Sequence, residues 1–289
     1  MSRLLCLGLG YSALHLARRL AQEGWQIAGT ARTRAGAEAI AAEGFASLQF
    51  DGTQPGSGLS EALGTATHVL VSVPPGESGD PVLLHHGEDI ARAPGLTWIG
   101  YLSTVGVYGD HRGDWVDETT PANPVSERSR RRVQAEEAWL ALAAGAGRRV
   151  QVFRLAGIYG PGRSSIDRLR AGTAQRVVKT GQIFNRIHVD DIAEAVAAAI
   201  DGRGTHEIYN LADDEPAPPQ DVVAYAAELL HMPPPPEIAF EDADLSLMAK
   251  SFYVENKRVS NARLHRDLGL DLKFPSYRRG LLSILARKD

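Results

Sequence analysis

Two rhythms of apolar and polar positions alternate along the first hundred residues. Short apolar runs at Leu4–Leu9, Gln26–Ala31, Ala46–Phe50, His68–Val73 and Thr97–Ser103 read as buried strands. Between them apolar positions recur at steps of three and four. Ser12–Glu23 therefore predicts a helix with Leu14, Leu16, Ala17, Leu20 and Ala21 on its inner side, and Arg34–Glu43 an alanine-rich helix ended by Gly44. Helical segments follow near Ser60–Leu63 and Pro81–Ala91. Ser126–Ala144 then reads as a long helix and Val150–Leu155 as a further buried strand. Strands alternating with helices in this way predict an α/β protein: a Rossmann-type, doubly wound parallel sheet covered on both faces.

After Ile158 the texture changes. "YGPGRSS" is a turn-rich loop, a helix starts at about Gln220 behind "PAPPQD", and Pro233–Pro236 is a rigid connector. Residues 1–158 are expected to form mainly the Rossmann core. Residues 159–289 are expected to form mainly a smaller α/β lobe on the substrate side, with some elements returning to the core.

Composition narrows the classes. Of 289 residues, 44% are hydrophobic and 23% charged, which suffices for a proper core and excludes wholesale disorder. Thirty-one basic against thirty-five acidic residues give a net charge of −4, so neither nucleic acid nor membrane is an expected partner. The single cysteine, Cys6, excludes an internal disulfide framework and suits a reducing cytoplasm, the expected location. It lies in an apolar run and reads as a plain buried thiol. That run is too short and too glycine-broken for a signal peptide, and no stretch approaches the roughly eighteen apolar residues of a membrane span.

The strand–turn–helix at "CLGLGYSALHLARRL" carries Gly8-x-Gly10-x-x-Ala13. The first glycine permits a tight turn, the second lets backbone approach a pyrophosphate, and Ala13 lets helix and strand pack closely. The helix N-terminus, with Tyr11 and Ser12, offers N–H groups to phosphate. An NAD site would carry an acid at the end of the second strand, but "GTARTR" has none. Arg32 can instead face the 2′-phosphate of NADP, with Thr30 or Thr33 as hydroxyl donors, so NADP is expected and NAD less so. A solvated arginine is the plainer alternative. Asp51, ending the third strand, can accept from the adenine amino group or simply serve a turn. Val73 and Pro74, closing the fourth strand, complete the candidate cofactor contacts.

The opening "GLGYSA", "YLSTVGVYGD", "FRLAGIYGPGR", "RIHVDDIAEAV", "YNLADDEP" and "KRVSNARLHRDLG" occur in order over nearly the whole chain. Together they resemble the extended short-chain dehydrogenases, the NAD-dependent epimerase/dehydratase group. The resemblance implies a Ser or Thr after the fifth strand and a Tyr-x-x-x-Lys pair on the next long helix. There the tyrosine would exchange a proton with the substrate oxygen, and the lysine would lower its pKa and hold the nicotinamide ribose. Counting back from "VYG" puts Thr104 at the first position. Counting back from "QAEEAW" puts Arg128 at the tyrosine and Arg132 at the lysine, which makes the chain an atypical member.

The spacing survives, since i and i+4 share a helical face, but arginine stays protonated at pH 7 and cannot do a phenol's proton work. Arg132 can hold a ribose hydroxyl or phosphate. Arg128 can clamp an anionic substrate, with Glu136 and Glu137 as nearby partners. A solvated basic face over Arg128, Arg130, Arg131 and Arg132 is the alternative. Tyr108 of "VYG" is the surviving phenol for a displaced acid, with His111 behind it. Tyr253 and Lys257 match the pair by count only, too far downstream. His85 and His86 lack a third metal ligand, and in "HVDD" Asp190 or Asp191 is expected to cap a helix rather than join His188 on a metal.

Two functions follow. One is an NADP-dependent oxidoreductase, epimerase or dehydratase on a small carbonyl or hydroxyl substrate, with an anionic one compatible with the arginines. The other is a redox-inactive NADP-binding sensor or interaction protein. An oligomer is compatible with either, although four arginines on the long helix work against helix-face pairing.

Overall fold

The computed structural model describes residues 2–286. Its central sheet is made of β1 (Arg3–Leu7), β2 (Gln26–Ala31), β3 (Ala46–Gln49), β4 (His68–Val71), β5 (Trp98–Thr104), β6 (Arg149–Leu155) and β7 (Ile208–Leu211), in the order β7-β6-β5-β4-β1-β2-β3. The pairings of β1 with β2 and β4, of β2 with β3 and of β4 with β5 are parallel. The order reverses at β1, the crevice where ligands of such sheets bind. Helices α1 (Tyr11–Gln22), α2 (Arg34–Ala42), α3 (Leu59–Thr65), α4 (Pro81–Arg92) and α5 (Glu127–Ala146) connect or cover the strands. The expected α/β doubly wound fold is thus present.

The chain divides into two compact units. The first comprises Met1–Thr104, Glu127–Arg154 and Ala193–Tyr209, and is built on the sheet. In α1 the residues Ala13, Leu16, Ala17 and Leu20 are buried, one stripe at helical spacing, whereas Leu14 is only half-buried. On the other helices' side, Leu5, Leu7, Val69, Val71, Ile99, Tyr101 and Trp139 share one core cluster. Asp80 caps α4, accepting from the Val82 and Leu83 amides at 2.8 and 3.2 Å, with Pro81 at the first helical position. At the far end of α4, Arg148 donates to the carbonyls of Ala91, Ala93 and Leu96 at 3.0, 2.6 and 2.6 Å, which closes the helix C-terminus.

The second unit comprises Val105–Ser126, Leu155–Ile192 and Asn210–Asp289. It holds three two-stranded parallel ladders, pairing Gly157–Tyr159 with Arg186–His188, Arg176–Val178 with Glu237–Ala239, and Trp115–Val116 with Arg258–Val259. Its core gathers Tyr159, Ile166, Leu169, Val222, Val223, Tyr277 and Leu281. Among the described residues, no helix is long and apolar enough to cross a membrane.

Candidate functional site

The glycine turn lies at the carboxyl end of β1, in the first unit. Gly8 adopts φ 88°, and a Cβ there would stand 3.0 Å from Ser72 Oγ and 3.2 Å from the Val73 nitrogen, so only glycine fits. Its N–H donates to Thr30 Oγ1 at 2.8 Å, and Ser72 Oγ donates to its carbonyl. Gly10 caps α1 with φ −94° and no side-chain cap, and a Cβ there would meet nothing within 4 Å. Ala13, 1% exposed, seats the helix against the sheet, while Tyr11 and Ser12 are half-buried in its first turn. Open space beside Gly10 and an uncapped helix N-terminus fit a pyrophosphate, which would meet backbone N–H groups where a larger residue would stand.

The end of β2 sorts the candidate ribose contacts. Thr30 is 1% exposed and spends its hydroxyl on Gly8, and Thr33 caps α2 by accepting from the Gly36 amide at 3.1 Å. Both hydroxyls expected to face a ribose phosphate therefore have partners within the chain. Arg34 pairs with Glu38 at 2.9 Å. Arg32 is exposed, and among the described residues its guanidinium has no ion-pair partner. Asp51 accepts from the Thr53 amide at 2.9 Å and its hydroxyl at 2.8 Å, bonds that hold its carboxyl below the usual range. Val73 is half-buried beside Gly8, and Pro74 follows it, exposed.

At the end of β5, Thr104 is half-exposed. Arg128, in the first turn of α5, is exposed. One turn on, Arg132 Nη1 donates to the Leu102 carbonyl at 2.7 Å and to the Tyr101 hydroxyl at 3.3 Å, with its guanidinium 5.6 Å above the Tyr101 ring. Arg130 and Arg131 make solvated pairs with Glu127 at 2.9 and 3.5 Å, and Arg131 another with Glu77 at 3.4 Å. A further turn along α5, Glu136 is 3% exposed. It accepts from Ser103 Oγ and pairs with Arg154 at 2.7 Å. The expected pairing of Glu136 with Arg128 is thus replaced by a buried ion pair to β6. Asp80 accepts from Trp139 Nε1 at 3.0 Å, and burial pushes its carboxyl up against that bond.

In the second unit Tyr108 is 0% exposed, and its hydroxyl donates to Asn210 Oδ1 at 2.8 Å. The Asn210 amide donates to Glu118 Oε1 at 2.8 Å; burial pushes the Glu118 carboxyl up. Lys257 is buried, donating to the Gly109 carbonyl at 2.7 Å and to Glu255 at 2.6 Å. Tyr253 packs on Phe184 and Phe240, so both downstream look-alikes serve the core. His188 is fully buried between Tyr159 and Phe274. Asp191 does not cap its helix; it accepts from the Lys273 and Phe274 amides at 2.8 and 3.1 Å. Burial pushes the Asp213 carboxyl up to about 8, with Arg186 opposing.

Ser103, Arg154 and Asp80 escaped the sequence reading, and Glu136 entered it as a partner for Arg128 rather than for Arg154. For Glu136 a signal existed: it continues the four-residue stripe Arg128–Arg132 along one face of α5.

Residues 89–212 match the family model described as the NAD dependent epimerase/dehydratase family. Over 286 residues the chain is 30% identical to Protein YeeZ of Escherichia coli strain K12, covering 95% of this chain and 97% of that protein. A conserved protein from Silicibacter pomeroyi DSS is 49% identical, covers 99% of both chains and superposes with a TM-score of 0.91. At 16% identity and a TM-score of 0.77, the dTDP-glucose 4,6-dehydratase of Bacillus anthracis, solved in complex with NAD, shares the fold over 99% of this chain and 96% of its own. The chain belongs to the NAD-dependent epimerase/dehydratase family.

Proposed function

We propose that this protein binds NADP at the Gly8–Ala13 turn and uses it on a small carbonyl or hydroxyl substrate that carries an anionic group. The observation that carries the cofactor choice is the contrast at the end of β2. No carboxylate stands there to bind two ribose hydroxyls, Arg34 is engaged by Glu38, and Arg32 is exposed without an ion-pair partner among the described residues. The nicotinamide, when bound, gives or takes a hydride. Thr104, at the end of β5, donates a hydrogen bond that polarises the substrate oxygen. Arg128 holds the anionic group through a charge-assisted bond. Arg132 braces β5 through Leu102 and Tyr101, and being a permanent cation it carries no proton step, so the proton is exchanged with water. Losing a positioned acid costs about a hundred- to ten-thousandfold in rate, so turnover is slow by the standard of a phenol–lysine site.

The second reading, a redox-inactive NADP-binding protein, is favoured by one observation. Tyr108, the phenol left in the sequence motif, is enclosed and bonded to Asn210. Titration calorimetry with NADPH and NADH, on the wild type and Arg32→Ala, tests the cofactor choice. Preference for NADPH in the wild type that disappears in the variant supports it, and equal affinities in both refute it. Loss of reduced-nicotinamide absorbance with a panel of small keto acids and aldehydes separates the two readings.

A further inference from the structure

Glu136 and Arg154 form an ion pair in which each side chain is under a tenth exposed. Arg154 reaches Glu136 Oε2 through Nη2 at 2.7 Å and through Nε at 3.2 Å, while Ser103 Oγ donates to Oε1. Such a pair is a poor device for stability alone, because desolvating two charges offsets their attraction and well-packed apolar residues do as well or better. What the pair does is join three elements at one level: α5 through Glu136, β6 through Arg154, and β5 through Ser103, the residue immediately before Thr104. One helical turn before Glu136, Arg132 fastens the same helix to Leu102, the residue before Ser103. Three consecutive residues at the end of β5, Tyr101, Leu102 and Ser103, are therefore tied to α5 by side chains spaced four apart.

We infer that the Ser103–Glu136–Arg154 triad is a positioning device that fixes the end of β5 against α5, and so sets where Thr104 and Arg128 stand for the nicotinamide half of the dinucleotide. The inference rests on the proposed NADP binding and deepens it. Glu136 is a positioning residue and touches no ligand. The adenosine half is held elsewhere in the first unit, by the glycine turn and Arg32, so the triad acts on one half of the cofactor only.

That asymmetry supplies the test. Affinity is measured by calorimetry for NADPH and for adenosine 2′,5′-bisphosphate, which carries the adenosine half alone. The variants are Ser103→Ala and the double replacement Glu136→Leu with Arg154→Met, which removes both charges together and so leaves no buried charge unpaired. In both variants NADPH affinity is expected to fall, by about tenfold in the double variant, as for loss of a hydrogen bond to a charged group. Adenosine bisphosphate affinity is expected to stay within about twofold. Thermal melting of the double variant within a few degrees of wild type shows that the loss is positional. Equal loss of both ligands, or loss of neither, overturns the inference. A wild type that binds adenosine bisphosphate and NADPH equally tightly also overturns it, since no nicotinamide-half contact then exists to position. A wild type that binds neither overturns the dinucleotide reading first and this one with it.

Discussion

Replacing Gly10 by alanine separates the fold from the ligand more cleanly than any other single change. The alanine Cβ would meet no protein atom within 4 Å, and φ of −94° suits any residue, so the fold tolerates it. The cost is that of a poorer N-cap, about 1 kcal/mol, which shifts the melting temperature by about 2 °C in a domain of this size. A pyrophosphate at the start of α1, by contrast, must occupy the space the methyl group fills. Displacing it forfeits about two charge-assisted hydrogen bonds from backbone N–H groups at about 1.5 kcal/mol each, a loss of about a hundredfold in affinity. Gly8→Ala is the control with the opposite signature. There the backbone is left-handed and the methyl would press on Ser72 and Val73 at 3.0–3.2 Å, so stability falls by at least about 2 kcal/mol. The assay pairs thermal melting without ligand with calorimetric titration of NADPH. If Gly10→Ala binds NADPH like the wild type, the pyrophosphate does not approach this turn and the reasoning fails.

Three further outcomes are expected. Tyr108→Phe leaves Asn210 Oδ1 without its donor and costs about 1–2 kcal/mol in urea unfolding, while any NADPH oxidation persists; abolished turnover at unchanged stability would make Tyr108 the acid after all. Asp213 is raised to about 8 in the fold against an ordinary carboxylate near 4 in the unfolded chain, so the fold binds the extra proton between those values. Stability should therefore fall as pH rises from about 4 to about 8, by up to about 1.4 kcal/mol per pH unit from this group, and Asp213→Asn should flatten that slope. Cys6 is buried with its thiol pushed up to about 12, so a thiol reagent should label it only at the rate of unfolding; labelling in mixing time would contradict its placement.

Apolar periodicity made the first half of the fold legible, because strands buried on both faces and helices with one apolar stripe leave unambiguous patterns. The strand boundaries moved by a residue or two where backbone geometry intervened. β1 ends at Leu7 rather than Leu9, since Gly8 turns the chain with positive φ. The glycine turn was readable because Gly8 answers to sterics that glycine alone satisfies. The other end of the site was not, because function there depends on which partner each side chain takes. Thr30 and Thr33 have hydroxyls like any ribose donor, yet one pins Gly8 and the other caps α2. Glu136 lies within a turn of Arg132, but its partner Arg154 comes from β6, and a pairing between elements leaves no periodic trace. Tyr108 kept its motif, yet its ring is buried and its hydroxyl donates to Asn210, and burial of one side chain cannot be read from spacing.

Thermal melting of the purified protein with NADPH, NADP, NADH and NAD, each alone, tests the central claim most directly. A ligand at about a hundred times its Kd adds about 2.7 kcal/mol of stability. Stabilisation by the two phosphorylated forms, well beyond that by the other two, is the result this account predicts. No shift with any of the four, or a shift with NADH and NAD alone, would contradict it.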